Sequence, residues 1–336
     1  QFSESGNMVD KGAGGRPTSE ETTATKTTDA SGRRTGATDP RVAQINQTNV
    51  NSDPNTNIGT DIQDGSASGA GANNTNKSLN SGSEAIEGAM KLAKRATGRS
   101  EIIAAKNAYH GNTQGAMSLM GFEERKQAFR PLIPGIKFVE FNNLNEISKI
   151  THKTAAVIFE TIQGGAGFIE PQNDYLKKVK IRCEEVGALL ILDEIQSGYG
   201  RSGEFFAFQH HKIKPDIITT AKGMANGFPI GGVLIAKKYK AKFGMLGTTF
   251  GGNHLACVAA ISVLDIIEQE NLIANVNEVS SYFMEEIKQI PEIKKVKGKG
   301  LMLGVEFDFE VGELRKKLIT DKHIFTGGSN NKNLLR

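Results

Sequence analysis

The sequence ALLILDEIQSGYGRSGEFFAFQHHKIKPDIITTAKG, residues 188–223, contains two short strand-like runs that each lead to a reactive side chain. The first run, 188–192, stops at Asp193, and the second, 216–220, is followed by Ala221 and Lys222. Apolar runs without alternation, separated by helical segments, predict strands buried on both faces of a parallel sheet. Because ligands of open α/β sheets bind beyond the carboxyl ends of the strands, we expect Asp193 and Lys222 to face one crevice.

A carboxylate and an amine in one crevice have a specific chemical use. A lysine amine can hold an aldehyde cofactor as a Schiff base. Pyridoxal phosphate needs such a lysine, and an anion beside its ring nitrogen keeps that nitrogen protonated, so that the ring accepts the electrons of a carbanion. Taken alone, the pair Asp193 and Lys222 also fits a strand-capping aspartate and a surface lysine, so the rest of the chain has to decide.

Composition excludes several classes of partner. The 336 residues carry 41 Lys and Arg against 37 Asp and Glu, and no basic stripe with interleaved aromatics indicates a nucleic-acid partner. No apolar run approaches the roughly 18 residues of a membrane span, and the polar N-terminus is no signal peptide. Cys183 and Cys257 lack the spacing of metal ligands, so we expect no metal site and two buried thiols in a reducing cytoplasm.

Composition also divides the chain. Residues 1–78 are rich in Ser, Thr, Asn, Asp and Gly, contain Phe2 as their only aromatic, and show no strand or helix period. Such a segment cannot bury enough apolar surface to offset its ordering entropy, so we expect disorder. Strands and helices then alternate, which predicts a doubly wound, mostly parallel α/β domain over 79–252. Residues 253–336 are predicted to form a connecting helix and a smaller, truncated α+β domain.

Polar groups follow other predicted elements of the same sheet. Residues 81–84 fit a capping box at the start of a helix, where free backbone amides can bind an anion. Tyr109 and His110 come just after one predicted strand, and Glu160 ends the next but one. Since the carboxyl ends of parallel strands share one edge of a sheet, these groups are expected near Asp193.

Taken together, these motifs resemble the class III aminotransferases, which are pyridoxal-phosphate enzymes of fold type I. The most similar branch is that of the acetylornithine and ornithine aminotransferases. The resemblance covers residues 80–336, with every motif in the family's order. The motifs are residues 80–85, 109–111, 192–198, 200–203, 220–223, 231–232 and 247–253. Each motif alone is weak, whereas the ordered set is specific.

The resemblance implies a role for each candidate residue. Lys222 would hold the cofactor and move the proton of the substrate α-carbon, while Asp193 would pair with the pyridinium nitrogen. For the cofactor, the resemblance implies contacts of Gly82 and Ser83 with the phosphate, of Gln196 with the ring hydroxyl and of Tyr109 with the ring face, with Glu160 and His110 nearby. Thr249 would contact the phosphate of a neighbouring subunit in a homodimer. Arg336 would bind the substrate carboxylate. His110 fits a structural role equally well.

The implied reaction is a transamination in two halves. An N-acylated ornithine, or ornithine itself, gives its amino group to the cofactor, and 2-oxoglutarate takes it away, as in arginine metabolism. Three alternatives stay open. The donor could be 4-aminobutyrate or another ω-amine; the enzyme could be an aminomutase or racemase that needs no 2-oxo acid; or the chain could be a catalytically incomplete fragment.

Three features depart from the family. Asn112 stands where the family commonly has an arginine, and an amide cannot form the bidentate charged pair with a carboxylate. Gly165 stands where a glutamate often lies and could gate the substrate arginine. The family's strand after Arg336 is absent, so we expect this arginine to be unanchored and the chain to bind cofactor poorly and turn over slowly.

Overall fold

The computed structural model describes residues 76–239 and 245–336, so most of the segment predicted to be disordered, 1–78, lies outside the described residues. In the described part, ten strands form two sheets. The strands are β1 (Lys77–Leu79), β2 (Glu101–Ala105), β3 (Ile136–Val139), β4 (Thr154–Glu160), β5 (Leu189–Asp193), β6 (Ile217–Thr220), β7 (Gly231–Ile235), β8 (Ile293–Lys299), β9 (Met302–Phe307) and β10 (Leu334–Leu335). The helices are α1 (Gly82–Thr97), α2 (Gln114–Ser118), α3 (Tyr175–Val186), α4 (His254–Gln269), α5 (Leu272–Ile287) and α6 (Gly312–Lys322).

Seven strands form the main sheet in the order β1-β7-β6-β5-β4-β2-β3. Strands β6, β5, β4, β2 and β3 run parallel to one another, and β7 runs antiparallel to both β6 and β1. All residues of β4 and β5 are buried, as expected for strands covered on both faces. The predicted doubly wound, mostly parallel α/β sheet is confirmed.

Two helices cover opposite faces of this sheet. Helix α1 buries Ile86 and Ala89 against alternate strand residues such as Ile158. Helix α3 packs Leu176 on the other face, against residues such as Phe159. The apolar faces of α1 and α3 therefore pack against alternate residues of β4. They form two separate apolar layers, one on each face of the sheet.

The start of α1 follows the predicted cap with one difference. Ser81 is the N-cap, and its hydroxyl accepts a hydrogen bond from the backbone N–H of Glu84 (3.2 Å). The carboxylate of Glu84 accepts from the backbone N–H of Asn80 (2.6 Å) rather than from that of Ser81. The helix start is therefore fixed from both sides, and Gly82 in its first turn packs on Ile195 and Ala221, which follow β5 and β6.

Three strands were not predicted. Strand β1 lies at the edge of the main sheet, and β8 and β10 flank β9 in an antiparallel three-stranded sheet. Five of the seven residues of β8 are lysine or glycine and are exposed or half-buried, which hides the strand period. The small sheet packs through Val305, Phe307 and the end of α5 at Ile287. The domain boundaries stay a prediction, although the two sheets lie on either side of residue 252 in the sequence.

Candidate active site

Strands β5 and β6 bring the predicted acid and amine to one edge of the sheet. Asp193 ends β5 directly beside Thr219 of β6, and Lys222 follows three residues later. Gly82, at the start of α1, packs on both strand ends. A Cβ at this glycine would lie 2.9 Å from a side-chain carbon of Ile195 and 3.4 Å from the Cβ of Ala221. The start of α1 therefore lies between the chain that follows Asp193 and the chain that leads to Lys222.

Lys222 has an unusual backbone and an accessible side chain. Its φ is 47°, in the left-handed region that side chains other than glycine rarely adopt. It begins a short 3₁₀ turn, Lys222–Ala225, and its side chain is exposed. Lys222, Gln196 and Arg336 line one cavity of about 570 Å³. Such backbone conformations are costly and gather at functional sites, so the conformation of Lys222 supports a role beyond folding.

Asp193 and His110 form a buried pair. Asp193 Oδ2 lies 2.7 Å from His110 Nδ1, and Oδ1 accepts a hydrogen bond from the backbone N–H of Ile195 (3.0 Å). The histidine is 2% exposed, and its Nε2 has no hydrogen-bond partner among the described residues. Burial lowers the pKa of His110, but the hydrogen bond and charge of Asp193, with the charge of Glu160, leave that pKa above its ordinary value. The pair therefore holds a carboxylate and an imidazole at hydrogen-bond distance in a buried site.

Glu160 adds a third ionisable group. It ends β4 directly opposite Asp193, and its two carboxylate oxygens accept backbone hydrogen bonds from Tyr109 and Gly164, both at 2.7 Å. Burial is the main cause that raises the pKa of Glu160 to about 7; the charge of His110 opposes this rise and that of Asp193 adds to it. Asp193, His110 and Glu160 thus form one coupled cluster at the strand ends.

Glu194 directly follows Asp193, and the sequence motifs assign no role to it. It is fully buried, and its carboxylate accepts four hydrogen bonds. The donors are the hydroxyls of Thr161 and Ser197 (2.7 and 2.6 Å) and the backbone N–H groups of Ala207 and Phe208 (3.0 and 2.9 Å). Glu194 therefore fixes the glycine-rich turn after β5 to the chain that returns toward β6. A carboxylate directly after a buried strand was the only signal for this function.

Arg336 is anchored, contrary to the expectation from the sequence. Leu334 of β10 is fully buried, and the main chain of Arg336 exchanges two hydrogen bonds with Gly327 (2.7 and 3.0 Å). Its Nη1 donates to the carbonyl oxygen of Gly164 (2.8 Å), and its Cζ lies 5.5 Å from the ring centroid of Phe168. The two side-chain contacts were not predictable from local sequence, because they join segments more than 160 residues apart.

The remaining candidates lie in different positions. A Cβ at Gly111, whose φ is 129°, would overlap Ser83, whose hydroxyl accepts from the backbone N–H of Asn112 (3.3 Å). Tyr109 is half-buried beside an apolar cluster. Thr249 is exposed and is not among the residues that line the cavity. The described part of the chain therefore collects every candidate except Thr249 around the strand ends.

Other site types find no support in the described residues. No group of three or more His, Cys, Asp or Glu side chains in the described ranges could hold a metal ion. Cys183 and Cys257 are buried free thiols, as predicted. No helix described by the structure combines the length and apolarity that a membrane crossing needs.

The arrangement has counterparts among solved structures. The ornithine aminotransferase of Toxoplasma gondii superposes with a TM-score of 0.73 at 29% sequence identity, covering 78% of this chain and 66% of that one. An aminotransferase of Bacillus anthracis superposes with a TM-score of 0.68 at 29% identity, covering 77% of this chain and 70% of that chain. The predicted fold type I architecture is therefore confirmed.

The sequence agrees with this likeness. Residues 42–326 match the family described as Aminotransferase class-III, so the match begins before the predicted boundary at residue 78. The acetylornithine aminotransferase of Aquifex aeolicus is 43% identical over 239 residues, 69% of this chain and 63% of that protein. The [LysW]-aminoadipate semialdehyde/glutamate semialdehyde transaminase of Sulfolobus acidocaldarius is 40% identical over 246 residues, 71% of this chain and 64% of that protein.

The chain therefore belongs to the class-III aminotransferases. It spans less than two thirds of the length of the two relatives just described.

Proposed function

We propose that this chain is a pyridoxal-phosphate-dependent aminotransferase that uses an N-acyl-ornithine or ornithine as amino donor and 2-oxoglutarate as acceptor. The observation that carries the proposal is the meeting of Asp193, Lys222 and the start of α1 at neighbouring strand ends. Family membership and the names of the relatives support the reaction class and an acylated ornithine.

The residues present fit the cofactor on structural grounds. Gly82 and Gly111 allow close backbone approach at the start of α1, where a Cβ on either residue would meet neighbouring side chains. The N-terminus of a helix is suited to a phosphate because its first amides are unpaired and its dipole is positive. A buried carboxylate, Asp193, and an exposed lysine, Lys222, stand beside this helix start. An anionic phosphate, a ring nitrogen and an aldehyde therefore each have a matching group.

When bound, pyridoxal phosphate supplies an aldehyde that condenses with amines and a ring that accepts the electrons of a carbanion. Lys222 would hold that aldehyde between turnovers and carry a proton at Nζ to and from the substrate α-carbon. Asp193 would keep a proton on the ring nitrogen, and His110 would hold the Asp193 side chain in place through their 2.7 Å contact. Glu160 would hold the Tyr109 backbone in place through its 2.7 Å hydrogen bond.

Other residues would orient the ligands. Gly82 and Ser83 would donate backbone N–H groups to the phosphate, and Gln196 would reach the ring hydroxyl. Arg336, on the wall of the same cavity as Lys222, would bind the substrate carboxylate. Thr249 is exposed on its own subunit, which suits a contact with the phosphate of a neighbouring subunit in a homodimer.

The test of the cofactor assignment is spectroscopic. We expect the purified chain with added pyridoxal phosphate to show the visible absorption band of lysine-bound cofactor, and Lys222→Ala to abolish it. Lys178→Ala, which removes an exposed lysine of α3, is the matched control and should leave the band unchanged. A band that survives in Lys222→Ala would assign the covalent link to another amine.

The donor is tested separately. Steady-state assays with 2-oxoglutarate should show faster turnover of N-acetylornithine or ornithine than of 4-aminobutyrate. Turnover of ω-amines alone would remove the ornithine assignment while keeping the aminotransferase. Turnover without any 2-oxo acid would instead indicate a mutase or racemase.

A further inference from the structure

Three arginines surround the loop formed by residues 326–331, which leads into β10. Arg315 of α6 donates from Nε to a carbonyl oxygen of this loop (2.9 Å). Arg125 donates from Nη2 to the side chain of Asn330 in the same loop (3.4 Å). The main chain of Arg336 pairs with the loop through two backbone hydrogen bonds (2.7 and 3.0 Å). The loop therefore gathers three guanidinium groups on one side of the candidate active site.

The charges of these arginines are not compensated. Among the described residues, no carboxylate lies within ion-pair distance of Arg125, Arg315 or Arg336. By contrast Arg130, on the same segment as Arg125, pairs with Glu123 at 2.5 Å. Burial, followed by the charges of Arg125 and Arg315, lowers the pKa of Arg336, although the charge of Glu160 opposes this. Clustered cations without a partner are unfavourable for folding and favourable for binding an anion.

Unused donors lie at the same place. The Nε of Arg336 is buried and has no hydrogen-bond partner among the described residues, and the same holds for the hydroxyl of Thr326 in the loop. A buried polar atom without a partner is costly, and native structures contain few of them. Two such atoms beside three guanidinium groups therefore indicate a missing polar ligand.

The wall between Arg125 and Arg336 is formed by small or flat groups. The Cζ of Arg125 lies 5.2 Å from the ring centroid of Phe122. A Cβ at Gly165 would lie 3.3 Å from the same ring, and the preceding residue, Gly164, accepts the hydrogen bond of Arg336. Because residue 165 is glycine, this position adds no acidic side chain that could pair with either arginine.

We propose that Arg125 determines substrate specificity by binding the second carboxylate of a dicarboxylate whose first carboxylate binds Arg336. Arg315 adds positive charge and holds the loop in place. The inference rests on the proposed function, in which Arg336 is the substrate arginine. It also explains how a chain with Asn112, which carries no charge, can recognise a dicarboxylate. Arg125 is chosen because it contacts the same loop that pairs with the main chain of Arg336. Arg201, which also lines the cavity of Arg336, is the rival candidate.

The test compares two unreactive ligands that differ by one carboxylate, glutarate and pentanoate, by isothermal titration calorimetry. The full chain is used both with and without pyridoxal phosphate. We expect wild type to bind glutarate three- to tenfold more tightly than pentanoate, since a second charge-assisted arginine contact is worth about that factor. Arg125→Gln should weaken glutarate binding by the same factor and leave pentanoate binding unchanged.

Two controls separate this site from general charge. Arg130→Gln removes a neighbouring arginine that already has a partner, and it should leave both affinities unchanged. Arg201→Gln, at a residue that lines the cavity, tests the rival assignment: loss of glutarate preference in this variant instead of in Arg125→Gln would overturn the proposal. Equal or undetectable binding of both ligands to wild type would overturn it as well. The absorption band lost in Lys222→Ala reports on the proposed function independently of these affinities.

Discussion

The buried carboxylate of Glu160 gives a prediction for stability against pH. Its pKa is about 7 in the folded protein against an ordinary value of 4.5, mainly because burial disfavours the charge. The folded state therefore binds this proton more tightly than the unfolded chain. It follows that the free energy of unfolding falls as the pH rises from about 4.5 to about 7. The difference in pKa corresponds to about 3 kcal/mol, as an order of magnitude.

Glu160→Gln removes this titration while it keeps the size of the side chain. At pH 5 the wild-type carboxyl is protonated and resembles the amide, since either group offers one full acceptor to the backbone N–H groups of Tyr109 and Gly164. We therefore expect the two proteins to agree within about 1 kcal/mol at pH 5. At pH 8 the variant should be more stable than wild type by about 3 kcal/mol.

The measurement is urea unfolding followed by circular dichroism at pH 5, 6, 7 and 8. Glu313→Gln, an exposed glutamate of α6, is the control and should keep a constant difference from wild type across this range. His110 acts in the same direction as Glu160, because the stability from its raised pKa is lost as the pH rises through its folded value. A constant difference between wild type and Glu160→Gln would refute the reasoning. It would mean that the hydrogen bonds to the carboxylate outweigh its burial.

Two further predictions concern stability and cofactor binding. Asp216→Asn should lower the free energy of unfolding by about 3 kcal/mol, the lower end for a broken buried ion pair. Lys180, whose side chain is 12% exposed, loses its ion pair with Asp216 at 2.9 Å but keeps the one with Glu184 at 3.4 Å. Burial raises the pKa of Asp216, but its lysine partners and its backbone hydrogen bond lower this pKa overall. The stability advantage of wild type over Asp216→Asn should therefore disappear as the pH falls below about 4. Urea unfolding measures this difference, and Asp308→Asn is the control. Gly231→Ala should weaken pyridoxal-phosphate binding at least tenfold in a fluorescence titration, because the new Cβ would overlap the backbone oxygen at the N-cap of α1. Gly312→Ala, where a Cβ meets no atom within 4 Å, should leave the affinity unchanged.

Much of the main sheet was predictable because its signals are local. The unalternating run before Asp193 identified a strand buried on both faces, and the structure buries all of it. The serine before Gly82 identified the start of a helix, and the structure caps it there. Strand β8 was missed because its lysines obscure the alternation and only pairing with β9 makes it a strand. Pairing partners and register depend on contacts between distant segments, which local sequence does not contain.

For the site, the sequence alone determined the chemical types: an acid after β5, an amine after β6, and a helix start that can bind an anion. Residue identity and strand order along the chain carry that information. Only the tertiary structure decided which groups share a charge environment. It joined Asp193 to His110 and Glu160, placed Arg336 on the carbonyl oxygen of Gly164, and brought Arg125 and Arg336 to the same loop. The physical reason is that electrostatic coupling and burial depend on distances between side chains from distant segments, and only the folded packing sets these distances.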